Sequence, residues 1–237
     1  MSKVIDFHSH VLPSVDDGSN SIAESIAMLR MEAEQGIRHV IATPHFYAQH
    51  DTPEHFLKKR LEAERHLREE MQKYNGLPQI SIGAEVYFFN GISETDAILE
   101  LTIDKKRCIL IEMPHAPWTE AMYRELEGIY VKRGLVPIVA HVDRYIRPFR
   151  TFGIPQRLAE LPVLVQANAE FFLNRGTSTM ALRMLRDGEI HLLGSDCHNL
   201  HSRKPNLESA VKVIEKRLGE DVLVRIHSCE QDVLMGG

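Results

Sequence analysis

Seven short apolar runs recur along the chain, and each has the length and composition of a buried β-strand. Most of them are nearly continuous in Val, Ile, Leu and Ala, which is typical of parallel strands covered on both faces. The seven predicted strands are Val4–His8, His39–Pro44, Ile80–Tyr87, Cys108–Met113, Pro137–His141, Val163–Ala167 and Ile190–Gly194.

Amphipathic stretches with recognisable start signals lie between these runs. Ser21 and Glu24 form a capping box before a helical pattern that Gly36 ends, and Thr52-Pro53 begins a long charged helix. No linker or internal repeat divides the chain, so residues 1–237 are predicted to be one domain of seven βα units. Right-handed crossovers would close these units into a barrel-like parallel sheet. Further helices are predicted at Pro117–Arg133, Ile154–Leu161, Ser178–Asp187 and Leu207–Leu218.

Composition narrows the class of protein. A net charge of -5 over 237 residues argues against a nucleic-acid partner, because such proteins usually carry a basic face. Three cysteines suggest no disulfide framework, and no apolar run is long enough for membrane insertion. We therefore expect a cytoplasmic α/β protein. The 13 histidines are the one feature of the composition that calls for a further explanation.

Residues with metal-binding side chains follow six of the seven predicted strands. His8 and His10 are two apart on a strand, so their imidazoles can face one ion. In a parallel barrel the carboxyl ends of the strands carry the chemistry, which is where these residues fall. Mixed nitrogen and oxygen ligands suit manganese, iron or zinc. The other candidates are Asp16, Asp17, His45, Glu85, Glu112, His141, Asp143, Asp196 and His198.

The motifs together resemble one known superfamily. The run from Asp6 through His8 and His10 to Asp17-Gly18 resembles the opening motif of the polymerase-and-histidinol-phosphatase (PHP) superfamily. Within it, the chain is similar to bacterial tyrosine phosphatases encoded with capsule and exopolysaccharide genes. The other matching landmarks are Ala42-Thr-Pro-His45, Gly83-Ala-Glu85, Ile111-Glu112-Met-Pro, Val136-Pro-Ile-Val-Ala-His141-Val-Asp-Arg144, Gln166-Ala-Asn168 and Ser195-Asp196-Cys-His198.

The resemblance implies a distorted seven-stranded TIM-like barrel with its active site at the carboxyl ends of the strands. It implies up to three divalent ions, with manganese first and iron or zinc as alternatives. By position, His8, His10, Glu85 and Asp196 would hold one ion, and Glu85 would bridge to a second. The second ion would be completed by Glu112 and His141, and a third would be held by Asp17, His45 and His198.

The implied activity is metal-dependent hydrolysis of phosphotyrosine in proteins, with a metal-bound hydroxide attacking phosphate in line. Arg144 and Arg203 would bind the substrate phosphate, because guanidinium matches its geometry. A bacterial tyrosine kinase of polysaccharide synthesis is the implied protein partner. Segments 46–51 and 145–152 are the expected determinants of substrate choice.

Three alternatives stay open on the sequence. The site could act on a small metabolite such as histidinol phosphate, or the chain could be a non-catalytic metal-binding module. Cys197 and Arg203 also match the Cys-(x)5-Arg pattern of cysteine-dependent tyrosine phosphatases. The intervening residues contain no glycine to cradle phosphate, and that disfavours the cysteine route.

Overall fold

The computed structural model describes residues 4–146 and 153–236. In these residues the chain forms a mixed α/β fold whose strand pairings are all parallel. The segment 147–152, part of the expected substrate-selecting loop, lies outside the described residues, as do 1–3 and 237. The strands are β1 (Asp6–Ser9), β2 (His39–Ala42), β3 (His45–Phe46), β4 (Gln79–Ile82), β5 (Glu85–Tyr87), β6 (Cys108–Glu112), β7 (Val136–Val139), β8 (Leu164–Asn168) and β9 (Leu192–Gly194).

The strands form two sheets where one seven-stranded sheet was predicted. One has the order β1-β2-β4, and the other is a curled, open sheet of order β3-β5-β6-β7-β8-β9. The predicted strand His39–Pro44 ends at Ala42, and a further strand, β3, begins after a two-residue break. The predicted strand Ile80–Tyr87 is divided by a two-residue break after Ile82. Pro44 lacks an N–H for a sheet ladder, which explains the first break. A side chain at Gly83 would press against Ile103 Cγ1 at 3.1 Å, so the second break lies where the backbone passes close to a neighbour.

The edges β1 and β9 lie side by side at their carboxyl ends. Asp196 N donates to His8 O at 2.7 Å, and His10 N donates to Cys197 O at 2.9 Å. A Cβ on Gly194 would lie 2.6 Å from His8 Cβ, so only glycine allows this approach. These contacts bring the residues after β9 next to those that end β1.

Helices pack outside the strands, and two of them begin at the capping residues that the sequence predicts. Ser21 Oγ accepts from Glu24 N at 3.2 Å, and Thr52 Oγ1 accepts from His55 N at 3.2 Å. The helices are α1 (Ile22–Glu34), α2 (Pro53–Met71), α3 (Glu120–Arg133), α4 (Asp143–Ile146), α5 (Ile154–Ala159), α6 (Ala169–Leu173), α7 (Ser178–Arg186), α8 (Leu207–Leu218) and α9 (Glu220–Met235). Three 3-10 helices (Ile92–Glu94, Asp96–Leu101 and Ile103–Lys105) stand between β5 and β6, where a complete βα unit would have an α-helix.

Helix α9, which sequence periodicity did not predict, closes the amino end of the strands. Val233 packs with Ile5, Leu110 and other alternate strand residues in a small buried cluster. Glu230 Oε1 accepts from Ile5 N, just before β1, at 3.1 Å. Helix α9 therefore covers the amino ends of the strands, so a functional site is expected at their carboxyl ends.

Candidate metal centre

All nine sequence-predicted metal ligands gather at the carboxyl ends of the strands. The register places His45 beside Glu85 across β3 and β5. Asp17 lies in the loop after β1, Glu112 ends β6, and His141 follows β7. Asp196 and His198 follow β9, which itself lies against β1. Eight of the nine are mostly or fully buried, and Asp17 is the exposed member, with 70% of its side chain accessible.

Glu85 is the centre of this cluster. It is fully buried, and its Oε2 lies 3.0 Å from His8 Nε2 and 3.3 Å from His10 Nε2. Its Oε1 lies 2.7 Å from His141 Nε2. His45 Nδ1 is 3.0 Å from Oε2, but its direction does not make a hydrogen bond. One carboxylate thus contacts four imidazoles, as expected of a ligand shared between ions.

Asp196 completes the group formed by the first two histidines. Its Oδ1 lies 3.5 Å from His8 Nε2 and 3.3 Å from His10 Nε2. Arg203 donates to the same oxygen at 2.8 Å, and Arg144 donates to Oδ2. The two predicted phosphate-binding arginines therefore lie within reach of the centre, on the side of Asp196.

A third group joins Asp17, His45 and His198, and His10 belongs to it as well. Their potential ligand atoms all lie within 4.8 Å of one another. Another such group combines His45 with Glu85 and Glu112. The resemblance implies a single ion for each histidine, whereas here His10 and His45 each belong to two groups.

Orphaned polar atoms provide a test of whether metal fits this cluster. His198 Nδ1 faces Asp196 O at 3.0 Å, which directs the other nitrogen, Nε2, into the centre. Among the residues that the structure describes, Nε2 is buried without a hydrogen-bond partner, as are His45 Nδ1 and Glu112 Oε2. Buried unpaired acceptors are costly, and a cation shared among them would remove that cost. The residues therefore fit divalent ions.

Charge is distributed unevenly across the cluster. Burial opposes ionisation of Glu85 and Asp196, but His8 and the neighbouring hydrogen bonds outweigh it and hold the pKa of each carboxyl well below its usual range. Burial and the negative Glu85 raise the pKa of Glu112 to about 7. Burial lowers the pKa of His141 to about 4 and that of His198 to about 3. These two imidazoles are neutral at physiological pH, as metal ligands must be.

Residues around the ligands, which the sequence did not assign, hold them in place. Asp16 Oδ2 lies 2.6 Å from His10 Nδ1. Gln166 Oε1 lies 3.3 Å from His8 Nδ1 and accepts from His141 N at 2.7 Å. Tyr145 Oη lies 3.1 Å from His141 Nδ1, and Asn168 Nδ2 donates to Asp196 Oδ2 at 3.0 Å. Such partners fix ring orientation and tautomer.

The backbone is strained at two of the ligands. His141 has φ 30° and Asp196 has φ 54°, both in the left-handed region that non-glycine residues rarely adopt. Strain of this kind persists only where surrounding contacts over-determine it, and it clusters at functional sites. The contacts from Gln166, Tyr145 and Asn168 supply that support here.

Cys197 is badly placed to act as a nucleophile. Its side chain is fully buried and its Sγ lies 3.9 Å from Glu32 Oε1. Burial and the neighbouring carboxyl groups of Glu32 and Asp6 raise the pKa of the thiol well above its usual range. A cysteine nucleophile needs the opposite, an exposed thiolate in positive surroundings. The Cys-(x)5-Arg match is therefore coincidental.

Aromatic side chains border the cluster on one side. The Tyr47 ring lies 5.2 Å from that of His45 and 5.5 Å from that of Tyr87. A cleft of about 340 Å³ opens beside Asp17, His45 and Tyr47. His50, which lies in the expected substrate-selecting segment 46–51, also lines this cleft. The Trp118 ring packs against those of Tyr123 and Tyr145.

Fold and site together define a parallel α/β protein with a histidine–carboxylate centre at the carboxyl ends of its strands. The family model described as capsular polysaccharide synthesis, CpsB/CapC, matches residues 4–235, and the chain belongs to this family. Tyrosine-protein phosphatase YwqE of Bacillus subtilis is 29% identical over 231 residues, which cover 92% of this chain and 87% of the relative. Tyrosine-protein phosphatase CpsB of Streptococcus pneumoniae is 29% identical over 226 residues, 91% of each.

Solved structures show the same fold. A chain from the crystal structures of YwqE and S. pneumoniae CpsB, described as unique metal-dependent tyrosine phosphatases, matches with a TM-score of 0.86. The match covers 98% of this chain and 95% of that one at 24% identity. A D-hydantoinase matches more distantly, with a TM-score of 0.57 at 14% identity.

Within the described residues, no helix combines the length and apolarity needed to span a membrane.

Proposed function

We propose that the chain is a metal-dependent protein-tyrosine phosphatase that serves capsular or exopolysaccharide synthesis. The observation that carries the proposal is the cluster itself, in which buried Glu85 contacts four imidazoles while two arginines flank Asp196. The phosphatase names of the relatives and the family description support it independently.

The proposed ligands are His8, His10, Asp17, His45, Glu85, Glu112, His141, Asp196 and His198. Bound divalent ions supply Lewis acidity toward phosphate oxygens and a nucleophilic water at neutral pH. We propose up to three ions, with manganese first because hard oxygen ligands accompany the imidazoles, and with iron or zinc as alternatives.

The chain's own residues bind and orient the substrate. Arg144 and Arg203 approach the centre from the same side, with side chains 30% and 37% exposed, so both remain accessible to a phosphate. A guanidinium donates two parallel hydrogen bonds to phosphate oxygens. The Tyr47 ring stands beside the cleft at His45, where it can pack against the aryl group of phosphotyrosine.

Phosphotyrosine suits a site without a strong general acid. The phenol of tyrosine has a pKa near 10, far below that of a serine hydroxyl, so the leaving oxygen carries its charge more readily. The carboxyls and imidazoles of the centre can then serve as ligands, and none has to be reserved for protonating the leaving group.

The remaining parts of the proposal concern context. A tyrosine kinase of polysaccharide synthesis is the proposed protein partner. The proposed location is the cytoplasm, because its reducing conditions fit three free cysteines. The contacts between the ends of β1 and β9 support a reading of both sheets as one distorted seven-stranded barrel in a single domain.

One comparison tests the function. Metal content and kcat/KM are measured on a phosphotyrosine peptide, the matching phosphoserine peptide and histidinol phosphate, with and without a chelator. We expect metal-dependent turnover that is highest on phosphotyrosine. Preference for histidinol phosphate would indicate a metabolite phosphatase. Bound metal without turnover on any substrate would indicate a non-catalytic module.

A further inference from the structure

A second cluster of polar side chains lies behind the strand ends, away from the cleft. Asp6 on β1, Glu32 on α1 and Cys197 after β9 are buried, each less than 1% exposed. One carboxylate oxygen from each acid and the Cys197 sulfur all lie within 4.8 Å of one another. None of the three belongs to the nine proposed ligands, yet Cys197 adjoins Asp196 and Asp6 is two residues from His8.

Asp6 joins the two backbone segments that carry these ligands. Its Oδ1 accepts from His8 N at 3.1 Å and from Ser195 N at 2.9 Å. Its Oδ2 accepts from Ser195 Oγ at 2.5 Å, and Ser195 Oγ in turn accepts from Cys197 N at 3.1 Å. The Asp6 carboxylate thus links the end of β1 to the strained turn that presents Asp196.

Glu32 has no comparable set of donors. Its Oε1 faces the Cys197 thiol at 3.9 Å, and its Oε2 is buried without a hydrogen-bond donor among the described residues. Two carboxylates this close and this buried cannot both be charged without a cation. Because Asp6 accepts three hydrogen bonds from His8 and Ser195, the negative charge is better held on Asp6 and the proton on Glu32.

The electrostatics agree with this assignment. Burial, the negative charge of Asp6 and a hydrogen bond between the two side chains all raise the pKa of Glu32 well above its usual range. Burial also raises the pKa of Asp6 above its usual range, but the hydrogen bonds from Ser195, Glu32 and His8 oppose that rise.

We propose that Glu32 is a neutral carboxylic acid in the folded protein and a positioning residue for the metal centre. It donates its proton to Asp6 and accepts from the Cys197 thiol, and so it holds the Asp6 carboxylate where it fixes the His8 and Ser195 backbones. The inference uses the proposed function only in taking His8 and Asp196 as metal ligands.

Two substitutions separate the neutral acid from an anion. Glu32→Gln keeps the shape, a donor for Asp6 and an acceptor for Cys197, whereas Glu32→Leu removes all three. Glu34→Leu, at an exposed position on the same helix, is the matched control. Manganese affinity is measured by titration calorimetry on each purified full-length chain. We expect Glu32→Gln and the control to bind like wild type, and Glu32→Leu to bind about 10–100-fold more weakly.

Infrared spectroscopy tests the protonation state without metal or turnover. A protonated carboxylic acid has a carbonyl-stretch band that a carboxylate lacks, so the wild-type minus Glu32→Gln difference spectrum should contain it. This measurement stands even if Glu32→Leu does not fold or if the chain proves not to be a phosphatase.

Three results would overturn the proposal. One is the absence of that carbonyl band from the difference spectrum. Another is a Glu32→Gln protein that binds manganese as weakly as Glu32→Leu, since that would mean the site needs an anion. The third is loss of one bound ion from Glu32→Gln, which would assign a cation to the Asp6, Glu32 and Cys197 cluster instead.

Discussion

The strongest test of the metal centre is Glu85→Gln, which removes one negative charge with almost no change in shape. Glu85 is fully buried and contacts the imidazoles of His8, His10, His45 and His141 at 2.7–3.3 Å. An amide offers one oxygen acceptor where the carboxylate offers two, and it carries no charge to bind a cation. The substitution should therefore reduce metal binding before it disturbs packing.

The magnitude follows from the contacts. A hydrogen bond to a charged group contributes about 1.5–3 kcal/mol, so loss of the charge should weaken the binding of one ion roughly 100-fold. At a metal concentration about 100 times Kd, binding stabilises the wild-type fold by about 2.7 kcal/mol per site. At the same metal concentration, binding at that site would stabilise the variant by only about 0.4 kcal/mol. For a chain of this size, about 1 kcal/mol shifts Tm by roughly 2–4 °C.

The assay is thermal unfolding with and without manganese, paired with metal analysis of the purified protein. For the one ion site that loses this charge, we expect metal binding to contribute about 5–11 °C to the wild-type Tm and about 1–2 °C to that of Glu85→Gln. Glu62→Gln, an exposed change on α2, is the control and should respond like wild type. A Glu85→Gln protein with full metal content and an undiminished rise in Tm would refute the shared-ligand role of Glu85.

Three further predictions address the mechanism and the fold. A chelator should abolish turnover while Cys197→Ser retains most of it, because the buried thiol is not the nucleophile; the opposite pair of results would favour a cysteine route. Arg144→Ala and Arg203→Ala should each lower kcat/KM on a phosphotyrosine peptide about 10–100-fold with metal content near wild type, with partial rescue by Lys; unchanged kcat/KM would remove either residue from the site. Burial raises the pKa of Glu230 to about 8, so the native state keeps a proton that the unfolded state has released, and stability falls as pH rises from about 4.5 to about 8. Glu230→Gln should remove most of that loss in chelator-treated protein, and identical Tm–pH profiles for the two proteins would contradict this.

The fold could be predicted as far as local patterns reach. Apolar runs predicted the strands, because strands buried on both faces consist mostly of apolar residues. Capping residues predicted most helices, because the unpaired backbone groups at a helix end need side-chain partners. They could not show that the chain passes from one sheet to the other at Pro44 and again at Gly83, since that depends on which neighbouring strand each segment pairs with. They also missed α9, whose few buried positions, among them Leu223, Ile226 and Val233, make a weak stripe.

The proposed ligands stand out locally, because each follows or ends an apolar run, whereas the residues that support them do not. Gln166 reaches His8 across 158 positions of the sequence, so no spacing rule could pair them. The contact between Tyr145 and His141 spans only four residues, which is a spacing that a helix can bring together. The short helix α4 that makes this contact has no sequence pattern that would predict it. Asp16 was noted beside Asp17, and only the loop geometry shows that it contacts His10.

Charge explains why ligands and arginines belong to one site. The nine proposed ligands include four carboxylates, Asp17, Glu85, Glu112 and Asp196, whose negative charges cannot balance three divalent ions. A centre loaded with the three proposed ions would therefore retain excess positive charge inside a buried cluster, where the field is poorly screened. A phosphate dianion is the natural counter-charge, and the two guanidiniums beside Asp196 add bidentate geometry to an attraction that is otherwise undirected. The same excess charge repels cationic groups, so a small cationic substrate such as histidinol phosphate gains less from this site than the side chain of phosphotyrosine, which has a neutral ring.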